Sequence, residues 1–294
     1  MTEPRAGLLR RDAEKVSGSL PPLLVEAERL VATLAVGVHG RRRSGQGETF
    51  WQYRAAQPGD SLGQIDWRRS ARSDRLFVRE TEWEAAESVL IWCDRARAMD
   101  FKSDELNWTK ADRARLLSLA TAVLLNRGGE RFGLLGTEAE RPRNGETQLM
   151  RVAALLNAEA QNVPDYGAPP VTELPKAGKA VFFSDFMGPR DEVFPAILNA
   201  AGQGTGGIFV MILDPIEMEF PFAGRTRFES VAKAVRHETD EAKSLRHAYL
   251  ARLAERREDL AAVAARANWQ IIVHRTDESP RKALVRLHAI LGGS

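Results

Sequence analysis

Cysteine is almost absent from this chain: 294 residues carry one, Cys93. That excludes an internal disulfide and any zinc site built on cysteines. Tyrosine is also scarce, at three, and the five histidines (39, 237, 247, 274 and 288) are dispersed at spacings that no helical metal site uses. Neither Gly-x-Ser-x-Gly nor His-Glu-x-x-His occurs, so the common hydrolase signatures are missing. Long apolar runs are lacking too. Leu30–Val38 has nine residues, whereas a spanning helix needs about 20. Met1-Thr2-Glu3-Pro4 brings acid early and has no basic segment leading into an apolar core, so a cytoplasmic, reduced setting is expected.

What is present is charge, unevenly placed. The chain holds 34 arginines and 8 lysines against 40 acids, for a net charge of +2, too little by itself to imply a nucleic-acid partner. Residues 40–79 nevertheless contain nine arginines and four acids, a local charge of +5, and Glu80, Glu82, Glu84 and Glu87 follow directly. Three segments are expected. Residues 1–39 carry an amphipathic helix that begins after Pro21-Pro22 and places Leu23, Leu24, Ala27, Leu30, Val31 and Leu34 at helical spacing. Such a helix packs on the domain or lies on a membrane surface. Residues 40–86 read as a small Arg-rich β extension, with strands near Thr49–Tyr53 and Arg75–Arg79.

Residues 87–294 alternate strand and helix. The apolar runs Ser88–Cys93, Arg131–Gly136, Lys179–Ser184, Gly207–Leu213 and Asn268–His274 are separated by helices near 108–126, 147–158, 190–201 and 236–267, and a closing helix covers 280–291. Fully apolar strands between helices imply a doubly wound, mostly parallel α/β sheet covered on both faces. A hairpin is expected at Phe220–Phe228. The glycine-rich stretch 202–207 precedes a strand, so it reads as a helix-to-strand turn, not a phosphate loop.

Three of the strands end in acid, at Asp94, Asp185 and Asp214, and Thr147 opens a later helix. In open α/β sheets, ligands gather beyond the strand ends where the strand order switches, and carboxylates with a hydroxyl there make an oxygen-rich pocket suited to Mg²⁺ or Mn²⁺. A strand-end acid also serves as an ordinary turn or helix cap.

The order Asp94, Thr147, Asp185 resembles the von Willebrand factor A fold, a Rossmann-type architecture that carries a metal-ion-dependent adhesion site built from Asp-x-Ser-x-Ser, a Thr and a second Asp. A more specific likeness lies upstream. His39–Phe50, Tyr53-Arg54, Pro58-Gly59-Asp60, then Ile65-Asp66-Trp67-Arg68-Arg69-Ser70-Ala71-Arg72 and Leu76–Glu82 resemble the bacterial family termed domain of unknown function 58. Its members share this Gly59, Asp60, Asp66, Trp67, Arg68, Ser70, Arg72 pattern followed by a von Willebrand A-like domain. The likeness spans about residues 37–290, and Asp214-Pro215-Ile216-Glu217 adds a further piece.

The chain departs from the adhesion-site pattern at Asp94-Arg95-Ala96-Arg97-Ala98, where both serines are alanines. No metal or other cofactor is therefore expected, although Asp94, Thr147 and Asp185 remain the residues that would hold Mg²⁺. The resemblance implies a non-enzymatic adaptor, encoded beside MoxR-type AAA+ ATPases and acting with that ATPase and other proteins of the same operon in chaperone-like assembly or maturation. A rim of Asp94, Arg95, Arg97, Thr147 and Asp185 would then meet the partner. Two alternatives stand beside it: a divalent-metal hydrolase using Asp94, Asp185 and Asp214, and an anionic-polymer binder using the Arg-rich block, with Arg41–Arg43 interleaved with Trp51, Tyr53 and Trp67. A structural role for that block is preferred, with Asp60, Asp66 and Asp74 pairing with arginines and Trp67 anchored inside. Nucleic acid is not the expected partner. Cys93, inside an apolar strand, reads as a buried inert thiol.

Overall fold

The computed structural model describes residues 22–34, 44–57, 60–61, 63, 65–73, 75–82, 87–159, 163–174, 178–229, 231 and 236–292. Gly59, Asp74 and Arg41–Arg43 lie outside the described residues. The chain divides into two compact units, Gly37–Ala86 and the remainder, so the segment ahead of the insertion belongs with the α/β unit.

The larger unit is built on five parallel strands: β3 (Ser88–Cys93), β4 (Arg131–Leu134), β5 (Lys179–Ser184), β6 (Gly206–Leu213) and β9 (Gln270–Arg275), in spatial order β4-β3-β5-β6-β9. Successive side chains point to opposite faces, and both faces are buried, which is why these segments read as unbroken apolar runs. Val89, Ile91, Val181, Phe183, Val210 and Ile212 face one helical layer. Leu90, Trp92, Phe182, Phe209 and Met211 face the other. The first layer holds α1 (Pro22–Ala32), α3 (Lys110–Arg127), α4 (Glu146–Asn157) and α8 (Pro280–Leu291); the second holds α5 (Arg190–Gly202) and α7 (Ala242–Ala267). The sheet is thus doubly wound, as the alternation implied.

Helix α3 starts on a reciprocal cap: Asp112 N–H donates to Thr109 Oγ1 at 3.0 Å, and Thr109 N–H donates to Asp112 Oδ2 at 2.9 Å. It is buried on nearly every side because α1 lies over it, with Leu24, Ala27 and Val31 buried. The amphipathic helix expected before residue 39 therefore packs on the domain, and its apolar face is the covered one. No described helix is long and apolar enough to cross a membrane. On the opposite face, Trp269 packs edge-on to Phe182 at 5.2 Å between centroids and tilted against Phe209 at 4.8 Å. Gly207 makes room for that indole, since a Cβ there would overlap its ring.

Two expectations shift in the 220–267 region. The hairpin forms later than Phe220–Phe228, from β7 (Thr226–Glu229) and β8 (Arg236–Thr239). The helix expected from 236 begins at Ala242. Cross-strand charge pairs take the first residues into a strand: Arg236 bonds Glu229 at 2.8 Å and Arg225 bonds Glu238 at 3.0 Å.

The smaller unit pairs β1 (Ser44–Ala55) with β2 (Phe77–Glu82) antiparallel, with register irregularities near Phe50. The first strand extends beyond the expected Thr49–Tyr53 at both ends, and the second lies later than the expected Arg75–Arg79. A short helix, α2 (Trp67–Ser70), lies between them in the chain, and Ile65 and Val78 are buried.

Candidate functional site

Numbered along the chain, the five sheet strands lie in the order 2-1-3-4-5, so the winding reverses between β3 and β5. That is the switch point where a crevice opens beyond the strand ends. Asp94 follows β3 and Asp185 follows β5, and the Asp94 N–H donates to Phe183 O at 2.9 Å. Both carboxylates are 3% exposed. The fold therefore brings these two predicted residues together, but deep inside.

Each oxygen of Asp94 is engaged. Oδ1 accepts from the Ala96 N–H at 2.9 Å, and Oδ2 accepts from the Ser184 hydroxyl at 2.6 Å. Gly167 closes over the group: a Cβ there would come within 2.6 Å of Asp94 Oδ2. Burial pushes the Asp94 carboxyl up from 3.8 to about 6; Asp185 adds to that rise, whereas the bonds from Ser184 and Ala96 and the charge of Lys110 oppose it.

Asp185 meets a residue that the sequence reading missed. Lys110, at the first position of α3 and 1% exposed, donates from Nζ to Asp185 Oδ2 at 2.7 Å and to Glu217 Oε1 at 2.6 Å. Burial draws the ammonium pKa down, but the two carboxylates outweigh burial and hold it above its usual value. Glu217 is delivered by α6 (Pro215–Glu219), whose capping box has Asp214 N–H donating to Glu217 Oε2 at 2.9 Å. The Asp214-Pro215-Ile216-Glu217 segment thus turns the chain and also supplies a second acid to the lysine. Burial raises the Glu217 carboxyl, with Lys110 opposing. A cavity of about 300 Å³ opens over this ion triad, bordered by Asp165, Tyr166 and Tyr249.

Arg95 and Thr147, two further residues of the expected rim, are directed elsewhere. Arg95 turns aside to the end of α4, donating to Leu155 O at 3.3 Å and to Ala158 O, where a cation satisfies orphan carbonyls. Arg97 is exposed on a 3₁₀ turn at Arg97–Asp100. Thr147 is exposed in the first turn of α4, at the opposite end of the strands from Asp94 and Asp185. Adjacent Gly145 N–H donates to Asn126 Oδ1 at 2.9 Å. Asn126 lies 16 residues along α3 from Lys110, about 24 Å at 1.5 Å per residue. The cause is local: residues 139–143 return antiparallel beside β4, through the Phe132–Arg143 bridge, before α4 begins. The Asp214 carboxylate is engaged elsewhere, accepting from Ser103 N–H at 2.9 Å and from Ile216 N–H at 3.0 Å.

These residues do not fit the divalent ion that the resemblance implies. An ammonium already lies between Asp185 and Glu217, the Asp94 oxygens hold a hydroxyl and an amide, and the two serine positions are Ala96 and Ala98. Among the described residues no group of three or more His, Cys, Asp and Glu side chains is arranged to hold a metal.

The smaller unit carries the second candidate surface. Asp60 accepts two bonds from Arg54, at 2.6 and 2.7 Å, and one from Gln57 N–H at 2.7 Å, which together hold its carboxyl down to about 2. Asp66 caps α2, accepting from Arg69 N–H at 2.9 Å, and also accepts from Tyr53 Oη at 3.0 Å. Ser70 Oγ accepts from Phe77 N–H at 2.9 Å. Asp60 thus pairs with an arginine as expected, whereas Asp66 braces the turn through the Arg69 backbone N–H and the Tyr53 hydroxyl. Trp67 is a correction: it is not anchored but 58% exposed, because Asp66 starts the helical turn with the indole outward and Ile65 and Val78 fill the interior. Arg68 and Arg72 are exposed beside it, and Arg69 lies over the Tyr53 ring at 4.3 Å. Arg68, Arg69, Arg72, Tyr53 and Phe77 border a cavity of about 540 Å³.

Uncharacterized proteins of Mycobacterium tuberculosis and Mycobacterium bovis are each 24% identical to this chain over 310 residues, covering 98% of it and 96% of their own length. A crystal structure of the conserved hypothetical protein BatB from Bacteroides thetaiotaomicron matches 71% of this chain and 100% of that one, at 9% identity and a TM-score of 0.34. Residues 52–259, which take in Asp60, α2 and the whole switch point, match the family described as protein of unknown function DUF58, and the chain belongs to that family.

Proposed function

We propose that this protein is a non-enzymatic interaction protein of the cytoplasm. It acts with a MoxR-type AAA+ ATPase, and with other proteins of the same operon, in chaperone-like assembly or maturation of a client, and it needs no metal or other cofactor. The observation that carries the reading is Trp67, 58% exposed between arginines on a turn whose own polar groups are satisfied. Tryptophan and arginine dominate the energetics of protein interfaces, and a large aromatic held outward on a braced frame is suited to docking. The partner surface that fits is acidic with an apolar pocket for the indole.

The chemistry elsewhere favours the same side. Burial pushes the Cys93 thiol up to about 11 and holds His274 down to about 4, so neither is poised as a nucleophile or proton carrier at neutral pH. The strand-end acids are committed to separate donors: Asp94 to Ser184 and Ala96, Asp185 to Lys110, and Asp214 to Ser103 and Ile216.

The test is capture of the neighbouring ATPase from cells by tagged parent protein, Trp67→Ala and Arg68→Glu/Arg72→Glu. The expected result is capture by the parent and loss in both variants with unchanged melting. Failure of the parent to retain the ATPase, or retention by both variants, would overturn the reading. The basic, aromatic-bordered cavity also favours a second reading, an anionic polymer held through the Arg-rich block. Oligonucleotide binding that weakens steeply with salt would select it.

A further inference from the structure

We infer that Lys110 is a built-in cation standing where a divalent ion would otherwise be held, and that removing its ammonium turns the Asp185–Glu217 cluster into a Mg²⁺/Mn²⁺ site. This goes beyond the docking role and does not depend on which partner the protein meets. Nζ lies 2.7 Å from Asp185 and 2.6 Å from Glu217, and the side chain is 2% exposed. Its charge also acts on Asp94, which feels Asp185 in the opposite sense, so the three acids and the lysine form one electrostatic unit. Two carboxylates hold the ammonium directly, and Asp94 feels its charge without touching it.

Hard oxygen ligands of this kind are what Mg²⁺ and Mn²⁺ select, and such ions keep several waters. The 300 Å³ cavity over the triad gives water and a cation access once the lysine chain is gone. With Lys110 in place, a dication would have to lie beside a like charge and compete for the same oxygens. The lysine ties the start of α3 to the ends of β5 and β6 permanently, whereas a bound ion could dissociate.

The experiment compares Mn²⁺ binding, by calorimetric titration and by the Mn²⁺ spin-resonance signal, in the parent, Lys110→Ala, Lys110→Met and Lys110→Ala/Asp185→Asn. Lys110→Ala should bind Mn²⁺ at least about tenfold more tightly than the parent, with a rise in melting temperature that EDTA reverses. The added Asp185→Asn change should remove the gain. Lys110→Met, which fills the space with an uncharged chain, should show neither binding nor rescue. If Lys110→Ala does not fold alone, refolding with Mn²⁺ should recover it. Parent protein that binds Mn²⁺ as tightly as Lys110→Ala, or a Lys110→Ala protein that neither binds nor is rescued by the ion, would overturn the inference.

Discussion

Replacing Asp94 by asparagine isolates the cost of burying one charge at the switch point. The carboxyl is 3% exposed and its pKa rises from 3.8 to about 6, with burial the largest cause. Because the folded value lies above the unfolded one, folding favours the protonated acid. The resulting stability is fully present below pH 3.8 and is lost as pH rises through about 6. A shift of about 2 units corresponds to about 3 kcal/mol. Asparagine keeps an oxygen for the Ala96 N–H but leaves the Ser184 hydroxyl without its acceptor, at a cost of about 1 kcal/mol. The variant should therefore be about 2 kcal/mol more stable than the parent at pH 7, about 0.5 kcal/mol less stable at pH 4 and about 1 kcal/mol less stable only below about pH 3, with the crossing at about pH 4.5. Urea unfolding of both proteins across that range measures the difference, and changes common to both cancel. A difference that stays constant from pH 4 to pH 7 would refute the argument, as would a variant that is the weaker protein at neutral pH.

Two further outcomes follow from neighbouring residues. Gly167→Ala drives a Cβ onto the Asp94 carboxylate, so the α/β unit should lose about 1–3 kcal/mol in urea unfolding. His274, 1% exposed, is held down to about 4 by burial and by Arg113. It contributes stability at neutral pH that should fall by up to about 3 kcal/mol as pH drops from 6.5 toward 4. A His274→Gln protein should lack that component when the two proteins are titrated side by side.

Much of the scaffold was legible because it is written locally. Ser88–Cys93, Lys179–Ser184 and Gly206–Leu213 are apolar at every position or nearly so, since each side chain lies under one helical layer or the other. Thr109-Lys110-Ala111-Asp112 announces a helix start through its own cap. In the Arg-rich block, a short-range bond such as that between Arg54 and Asp60 follows from neighbouring residues, whereas the exposure of Trp67 does not. The direction of an indole depends on which side of a four-residue turn the rest of the unit occupies.

By itself the chain order determined a parallel sheet with acids at its strand ends, because burial on both faces and turn chemistry are properties of neighbouring residues. Only the tertiary structure decided what those acids do. Lys110 lies 75 residues from Asp185 and 107 from Glu217, and their meeting depends on the crossing of β3, β5 and β6, not on any local preference. Thr147 stands apart from the site for the same kind of reason: a short return beside β4 carries its helix start to the opposite end of the strands. A spacing pattern records which groups are available, and the path of the backbone between them sets which ones share a pocket.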